Sequence, residues 1–189
     1  MSTATQSKTH RSIRLLTEGA ILIAVAEILS FLPLYKFPWG GSIDLAMLPI
    51  ILFCVRWGFG PAMIASCAHA FLQTLFEGGI AIGWESIIGD FLLAYAVLGT
   101  AGLFKGKFVL GSVVACSLRF LVHYVVGATI WAAYMPETFF GMTMTTPWFY
   151  SALYNGAYML PDTLMILAVY FLLCKTPVAP YFRGDDLKR

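Results

Sequence analysis

Six apolar segments fill most of this 189-residue chain and constrain its fold more than any other feature. They cover about residues 13–33, 43–55, 59–76, 86–104, 108–134 and 148–174, with glycines and prolines between them. Charged residues make up 12% of the sequence, whereas soluble domains are about a quarter charged. Since a bilayer core is spanned by about 20 helical residues, we expect an all-α membrane protein. Residues 1–189 would form one domain, a compact bundle of six transmembrane helices. The short second and third segments are expected to be tilted, broken or shielded by neighbours.

Basic residues predict the orientation of this bundle. They precede the first segment, separate the second from the third and the fourth from the fifth, and follow the sixth: Lys8, Arg11, Arg14, Arg56, Lys105, Lys107, Lys175, Arg183, Lys188 and Arg189. The opposite loops, 34–42, 77–85 and 135–147, hold only Lys36. Because cytoplasmic loops carry the excess of positive charge, both termini are expected in the cytoplasm, with 1–12 and 176–189 as cytoplasmic tails. Glu18 and Glu27 interrupt the first apolar run, so we expect a retained span rather than a cleaved signal peptide.

Several classes of function are disfavoured by composition and by motifs that the sequence lacks. It contains no GxxxxGK[ST] phosphate-binding loop, no HExxH and no GxSxG, so neither ATP hydrolysis by that route nor enzyme activity is predicted. A net charge of +2 gives no basis for nucleic-acid binding. The cysteines lie in or beside apolar segments, without a CxxC pair or a metal-ligand spacing. We therefore expect neither a metal site nor a cofactor.

The fifth segment carries a polar ladder, which we define as Arg119, His123, Gly127 and Trp131, each four positions after the last. Four-residue steps advance about 400° on an α-helix, so the four residues share one broad face about 18 Å long. A cation, an imidazole and an indole on one helix face are poorly tolerated by lipid. This face is therefore predicted to line a cavity within the protein.

Other polar residues are candidates for the same cavity. Asp90 near the start of the fourth segment needs a partner inside a membrane: it is either the counter-ion of a cationic ligand or a structural partner of Arg119 or a histidine. Tyr150 and Asn155 open the sixth segment, and the Asn155 amide either orients a polar ring or bonds two helices together. For Asp162 we expect a structural ion pair with Arg119. Aromatic faces beside one carboxylate suit a flat, positively charged heterocycle.

The first segment presents two small residues, Ala20 and Ala24, four positions apart. Such a pair lets another helix approach closely. The other helix belongs either to the same bundle or to a second membrane protein that docks there.

Five blocks of sequence carry a resemblance to a known family: RLLTEGAILIAVAEILSFLP, PWGGSIDLAMLPIILFCVRWG, DFLLAYAVLGTAGLF, LRFLVHYVVGATIW and WFYSALYNGAYMLP. Over about residues 11–175 the chain resembles the thiamine-specific substrate-binding (S) components of energy-coupling factor (ECF) transporters. The resemblance implies six helices in the bacterial plasma membrane and high-affinity thiamine capture on the outer side. It also implies docking onto a shared transmembrane coupling subunit with two ATPase subunits.

The resemblance also assigns roles to individual residues. The substrate-binding residues that it implies are Trp39, Asp90, His123, Gly127, Trp131, Tyr150 and Asn155. Asp90 matches the acidic ligand residue of the fourth helix, and Trp39 lies beside the position of the first-loop tryptophan, in a loop 34–42 expected to close over the ligand. Ala20 and Ala24 match the family's AxxxA docking motif.

Three positions depart from the family pattern. Asp90 stands where some members have glutamate, Phe91 where a tyrosine occurs, and His69 where a tryptophan is known. A related vitamin, such as pyridoxine or a thiamine precursor, is therefore an alternative substrate. The alternatives from other classes are a six-span membrane enzyme with Asp90 and His123 as acid–base groups, and a stand-alone facilitator.

Overall fold

Helices form over all six apolar segments within the residues that the computed structural model describes, 3–77 and 81–187. They are α1 (Thr3–Ser30), α2 (Met47–Trp57), α3 (Phe59–Glu77), α4 (Trp84–Phe104), α5 (Phe108–Thr129) and α6 (Pro147–Leu173). Lys188, Arg189 and residues 78–80 of the expected outer loop lie outside the described residues, as does the side chain of Lys8.

Four of these helices, α3 to α6, are long and apolar enough to cross a membrane. The α2 helix is apolar but has only 11 residues, and α1 carries Arg14, Glu18 and Glu27 along its length. A mostly helical fold with several apolar spans confirms the expected class. Six crossings and the cytoplasmic placement of both termini stay predictions.

The short α2 helix is shielded by its neighbours, one of the outcomes expected for a segment of this length. Ile50, Ile51 and Val55 have no exposed surface, and they belong to a core shared with α1, α3, α4 and α5. Burial on all sides explains why α2 is apolar on every face from Met47 to Val55.

The α4 helix departs from regular α-helical geometry in two stretches. Residues Ile87–Leu93 are π-helical and Val97–Phe104 form a 3₁₀-helix. A Cβ atom on Gly89 would come within 2.6 Å of Val126 on α5, so glycine is what lets these two helices lie so close. π-helical turns occur frequently at functional sites, and here the turn carries Asp90.

The polar ladder was expected to lie on one α-helix within segment 108–134, and that expectation is wrong. The α-helix stops at Thr129, and a short 3₁₀ turn follows at Ala132–Tyr134. The backbone N–H of Trp131 donates to the carbonyl of Val126, five residues earlier, at 3.2 Å. This wide closing turn ends the helix and places Trp131 beyond it.

Two short hairpins lie at the end of the bundle where α1 and α5 finish. Strand β1 (Tyr35–Lys36) pairs antiparallel with β2 (Ser42–Ile43), and β3 (Thr138–Phe139) pairs antiparallel with β4 (Met142–Thr143). The first hairpin turns through Gly40 and Gly41, whose φ angles of 96° and 78° favour glycine. The hairpins touch each other through the rings of Trp39 and Phe139, 5.1 Å apart.

At the opposite end of the bundle, Arg56 is completely buried rather than a free loop charge. Its Nε and Nη2 atoms donate to Glu18 on α1, at 2.5 and 3.1 Å, and its Nη1 and Nη2 atoms donate to Asp186, at 3.0 and 3.1 Å. The Tyr181 ring covers the guanidinium at 3.4 Å. Burial opposes ionisation of Asp186, but hydrogen bonds from Arg56 and Arg14 outweigh it and lower its pKa.

The expected C-terminal tail is therefore packed in its described part. The short helix α7 (Ala179–Arg183) and a 3₁₀ turn at Asp185–Leu187 lie over the end of α2, and Phe182 is only 3% exposed. The Arg56 cluster, which we define as Arg56, Glu18, Tyr181 and Asp186, thus joins α1, α2 and the C-terminal segment.

Replacing Arg56 with methionine should destabilise the fold, because Glu18 and Asp186 would lose their fully buried counter-ion and keep only Arg14, whose side chain is 45% exposed. We expect the free energy of unfolding to fall by about 3 kcal/mol, measured as a lower midpoint of thermal unfolding in detergent. Arg183→Met is the control, since its ion pair with Asp185 is exposed and contributes at most about 1 kcal/mol. Equal midpoints for the two variants would contradict this role of Arg56.

Candidate functional site

A cavity of about 530 Å³ lies beneath the two hairpins, between α1 and the α4, α5 and α6 helices. All of the residues predicted to bind substrate line it: Trp39, Asp90, His123, Gly127, Trp131, Tyr150 and Asn155. They reach it from the β1–β2 turn, α4, α5, the turn after α5, and α6. The structure therefore brings the whole predicted set together, and their role as ligand contacts stays a prediction.

The Asp90 carboxylate is held from two sides at the wall of this cavity. One oxygen accepts from the Trp131 indole N–H at 2.7 Å, and the other lies 3.0 Å from Nδ1 of His123. Although Trp131 lies beyond the helix, its side chain still returns to the face shared by His123. A histidine was one of the partners expected for Asp90, and this pairing is present. The paired carboxylate still lies at the cavity wall.

Arg119 determines which ring nitrogen of His123 accepts a hydrogen bond and which one donates. The Nε atom of Arg119 donates to Nε2 of His123 at 3.4 Å, so Nε2 acts as the acceptor. The proton of the neutral ring then lies on Nδ1, where it is donated to Asp90. This network assigns a neutral imidazole between a guanidinium and an ionised carboxylate.

The predicted ion pair between Arg119 and Asp162 is wrong. In the described residues Arg119 makes no salt bridge with Asp162, and its guanidinium lies 4.0 Å from the centre of the Tyr95 ring. Asp162 instead accepts the backbone N–H of Asp44 at 3.0 Å. This hydrogen bond thus fixes the chain just before α2, where the backbone is in neither a helix nor a strand.

Gly127 and Asn155 hold α5 against α6. A Cβ atom on Gly127 would overlap with the Ser151 hydroxyl. The Asn155 amide nitrogen donates to the His123 carbonyl at 3.2 Å and to the Ser151 carbonyl at 3.0 Å, and its oxygen accepts from Tyr158 at 2.6 Å. Of the two roles considered for Asn155, this geometry fits helix-to-helix bonding, which also places Tyr158 in the cavity wall.

Aromatic side chains form the cavity roof. The α6 helix begins at Pro147 after Thr146, whose hydroxyl accepts the Phe149 N–H at 3.1 Å, a common arrangement at helix starts. Tyr150 follows in the first turn, and Tyr154 donates to the Trp39 carbonyl at 3.1 Å. This bond and the ring contacts of Trp39 tie the first hairpin to α6.

Three carboxyl groups that were not predicted for the site from the sequence also line the cavity. Asp44, Glu77 and Asp162 line the cavity together with Asp90, whereas Arg119 supplies the positive charge among the described lining residues. No group of three or more His, Cys, Asp or Glu side chains in the described part of the chain could hold a metal ion. Acidic groups beside aromatic rings in the lining are suited to an organic cation.

Four tyrosines in the lining were also not predicted from the sequence: Tyr95, Tyr134, Tyr154 and Tyr158. Tyr154 and Tyr158 follow Tyr150 at four-residue spacing, the same signal that identified the polar ladder on α5. Asp44 and Glu77 lie at the ends of segments, where helix periodicity gives no indication of the direction of a side chain.

Ala20 and Ala24 both lie exposed on the outer face of α1. The neighbouring Gly19 faces inward, where a Cβ atom would come within 3.2 Å of the Phe53 ring. The two alanines are therefore not used for packing within the described bundle, and the pair is open to a helix from elsewhere.

Comparisons with known proteins identify the family of this chain. The thiamine transporter protein (Thia_YuaJ) family matches residues 16–180. The thiamine transporter ThiT of Bacillus subtilis is 28% identical, over 90% of this chain and 94% of that protein. ThiT of Lacticaseibacillus paracasei is 23% identical, over 87% and 88%. A solved structure of ThiT from Listeria monocytogenes is 25% identical with a TM-score of 0.75, covering 90% of this chain and 98% of that chain.

These matches confirm the resemblance drawn from the five sequence blocks. They also decide against the membrane enzyme considered above, because the matching proteins are named as transporters. With its apolar helices, the chain is a multi-pass protein of the cell membrane, and it belongs to the thiamine transporter protein family.

Proposed function

We propose that this chain captures thiamine on the extracellular side of the membrane as the substrate-binding component of a vitamin uptake system. The observation that carries the proposal is the Asp90 carboxylate, held as an anion by His123 and Trp131 at the wall of an aromatic cavity. Thiamine carries a flat, positively charged thiazolium ring. The names of the matching relatives support thiamine over pyridoxine or a thiamine precursor.

Electrostatics and stacking act together in such a cavity. The lining holds the carboxyl groups of Asp44, Glu77, Asp90 and Asp162 and one guanidinium, that of Arg119. This excess of acidic groups would favour a cationic ligand over an anionic one. Rings of Trp39, Trp131 and Tyr150 provide faces for stacking and cation–π attraction, each contributing about 0.5–2 kcal/mol where water is excluded.

The first hairpin is the proposed lid. Residues 34–42 are tied to α6 through the Tyr154 hydroxyl and the Trp39 carbonyl, and to the second hairpin through Phe139. These contacts are few and lie near the surface, with Trp39 40% exposed. A ligand could enter when they separate and be enclosed when they form again.

Asp90→Asn should weaken thiamine binding by about 1–3 kcal/mol, because a charge-assisted interaction is lost while the side-chain shape is kept. The measurement is a fluorescence titration of detergent-purified protein with thiamine. Glu85→Gln is the matched control, since Glu85 is an exposed carboxylate near the same end of α4 and does not line the cavity. Unchanged affinity in Asp90→Asn would refute the counter-ion role.

Trp131→Ala should cost about 0.5–2 kcal/mol of binding through lost stacking and cation–π attraction, and should reduce the fluorescence quench caused by thiamine. Trp148→Phe is the control, because that indole is 44% exposed and packs on Tyr124 away from the cavity. An identical quench curve for Trp131→Ala and the unaltered protein would argue against ligand contact at Trp131.

The proposed partners are an ECF transmembrane coupling subunit and two ATPase subunits, whose ATP hydrolysis would drive release inside the cell. The exposed pair Ala20 and Ala24 supports docking on α1, since small residues let a partner helix approach closely. Sequence resemblance supports the identity of the partners.

Changing both Ala20 and Ala24 to tryptophan should abolish assembly with the coupling subunit by steric exclusion, while thiamine binding by the isolated protein is unaffected. Co-purification with the coupling subunit measures assembly, and a fluorescence titration measures binding. The control is Ile64→Trp, at a position on α3 that is 76% exposed. Assembly that survives the double change would assign this face of α1 to lipid alone.

A further inference from the structure

A buried polar cluster of one glutamate, one histidine and one glutamine lies between α1 and α3, outside the cavity lining. Glu27 is 8% exposed, and His69 and Gln73 are fully buried. One Glu27 oxygen lies 2.7 Å from Nδ1 of His69, and the other accepts from the Gln73 amide at 2.7 Å. A carboxylate and a histidine inside a membrane helix pair are costly, so their retention calls for a role.

The His69 ring packs edge-on against Tyr95, with ring centres 5.0 Å apart and planes at 87°. Its second nitrogen, Nε2, has no hydrogen-bond partner among the described residues. The ring orientation therefore depends on the bond to Glu27 and on the Tyr95 contact. Tyr95 is only 9% exposed, yet it reaches the cavity wall.

Tyr95 is held between two groups. His69 packs against it from the α1 and α3 side, and the Arg119 guanidinium lies over the ring at 4.0 Å from the α5 side. Arg119 in turn donates to His123, which bonds to Asp90. The contacts thus run without a break from a carboxylate on α1 to the carboxylate at the cavity.

We propose that Glu27 and His69 are positioning residues for the ligand cavity, which hold Tyr95, and through it Arg119, so that His123 donates to Asp90. Neither residue lines the cavity, so they act through Tyr95 and Arg119. Their effect on thiamine affinity rests on the proposed function, whereas their effect on the orientation of His123 does not.

The state of His123 can be read directly, because the chain has only three histidines. Protein labelled with 15N-histidine and purified in detergent should give an His123 imidazole with its proton on Nδ1. We expect Glu27→Gln and His69→Asn each to shift the His123 ring resonances. His69→Asn keeps an amide donor toward Glu27 but removes the ring that packs on Tyr95.

Ser112→Ala is the control for this spectrum, since Ser112 is equally buried but bonds only within its own helix, to the Phe108 carbonyl. Its His123 resonances should match those of the unaltered protein. If both Glu27→Gln and His69→Asn fold, as judged by thermal unfolding, and leave the His123 resonances in place, the proposal is overturned.

A double-mutant cycle then tests whether His69 acts through Arg119. In the unaltered background His69→Asn should weaken thiamine binding about tenfold, and in an Arg119→Met background the same change should matter less than about twofold. A purely structural role of His69 would give equal losses in both backgrounds and would overturn the proposal. Absence of thiamine binding by the unaltered protein would instead refute the proposed function, leaving the resonances of His123 to decide the positioning role.

Discussion

A polar group that is buried away from water needs a partner, and this constraint organises the molecule from one end to the other. Arg56 is hydrogen-bonded to Glu18 and Asp186 at one end. Glu27 is hydrogen-bonded to His69 and Gln73 between α1 and α3. Asp90 is hydrogen-bonded to His123 and Trp131 at the cavity. In each case a charge on one helix is satisfied by groups from other parts of the chain. The same hydrogen bonds that remove the cost of burial therefore also fix the arrangement of the bundle.

The α1 helix takes part in two of these clusters and still has a free outer face. Glu18 and Glu27 point inward to Arg56 and His69, while Ala20 and Ala24 between them are exposed. Inward carboxylates hold the helix in a defined rotation. That rotation is what presents two small side chains to the outside, so the polar clusters and the proposed docking face are consequences of one constraint.

Local helix geometry made part of the site predictable, and tertiary packing decided the rest. Four-residue spacing placed His123 and Gly127 on one face correctly, because a helix repeats locally. It could not predict that the α-helix ends before Trp131, or that α4 becomes π-helical around Asp90. Membrane depth suggested Arg119 for Asp162, but depth says nothing about the direction of a side chain around its helix, and Asp162 faces Asp44 instead. The hairpins that close the cavity depend on glycine turns and on ring contacts distant in sequence.

The lining residues fall into two groups that the sequence could not separate. Gly127 and Asn155 are committed to the contact between α5 and α6, with the Asn155 amide hydrogen and oxygen atoms occupied within the protein. Asp90, by contrast, keeps a negative charge at the cavity even though both oxygens have donors, since hydrogen bonds from neutral groups leave that charge in place. A binding motif therefore includes residues that shape the cavity as well as residues that attract its ligand. In the proposed function the attraction of a cation comes from Asp90, and the positions of His123 and Tyr158 around it come from Gly127 and Asn155.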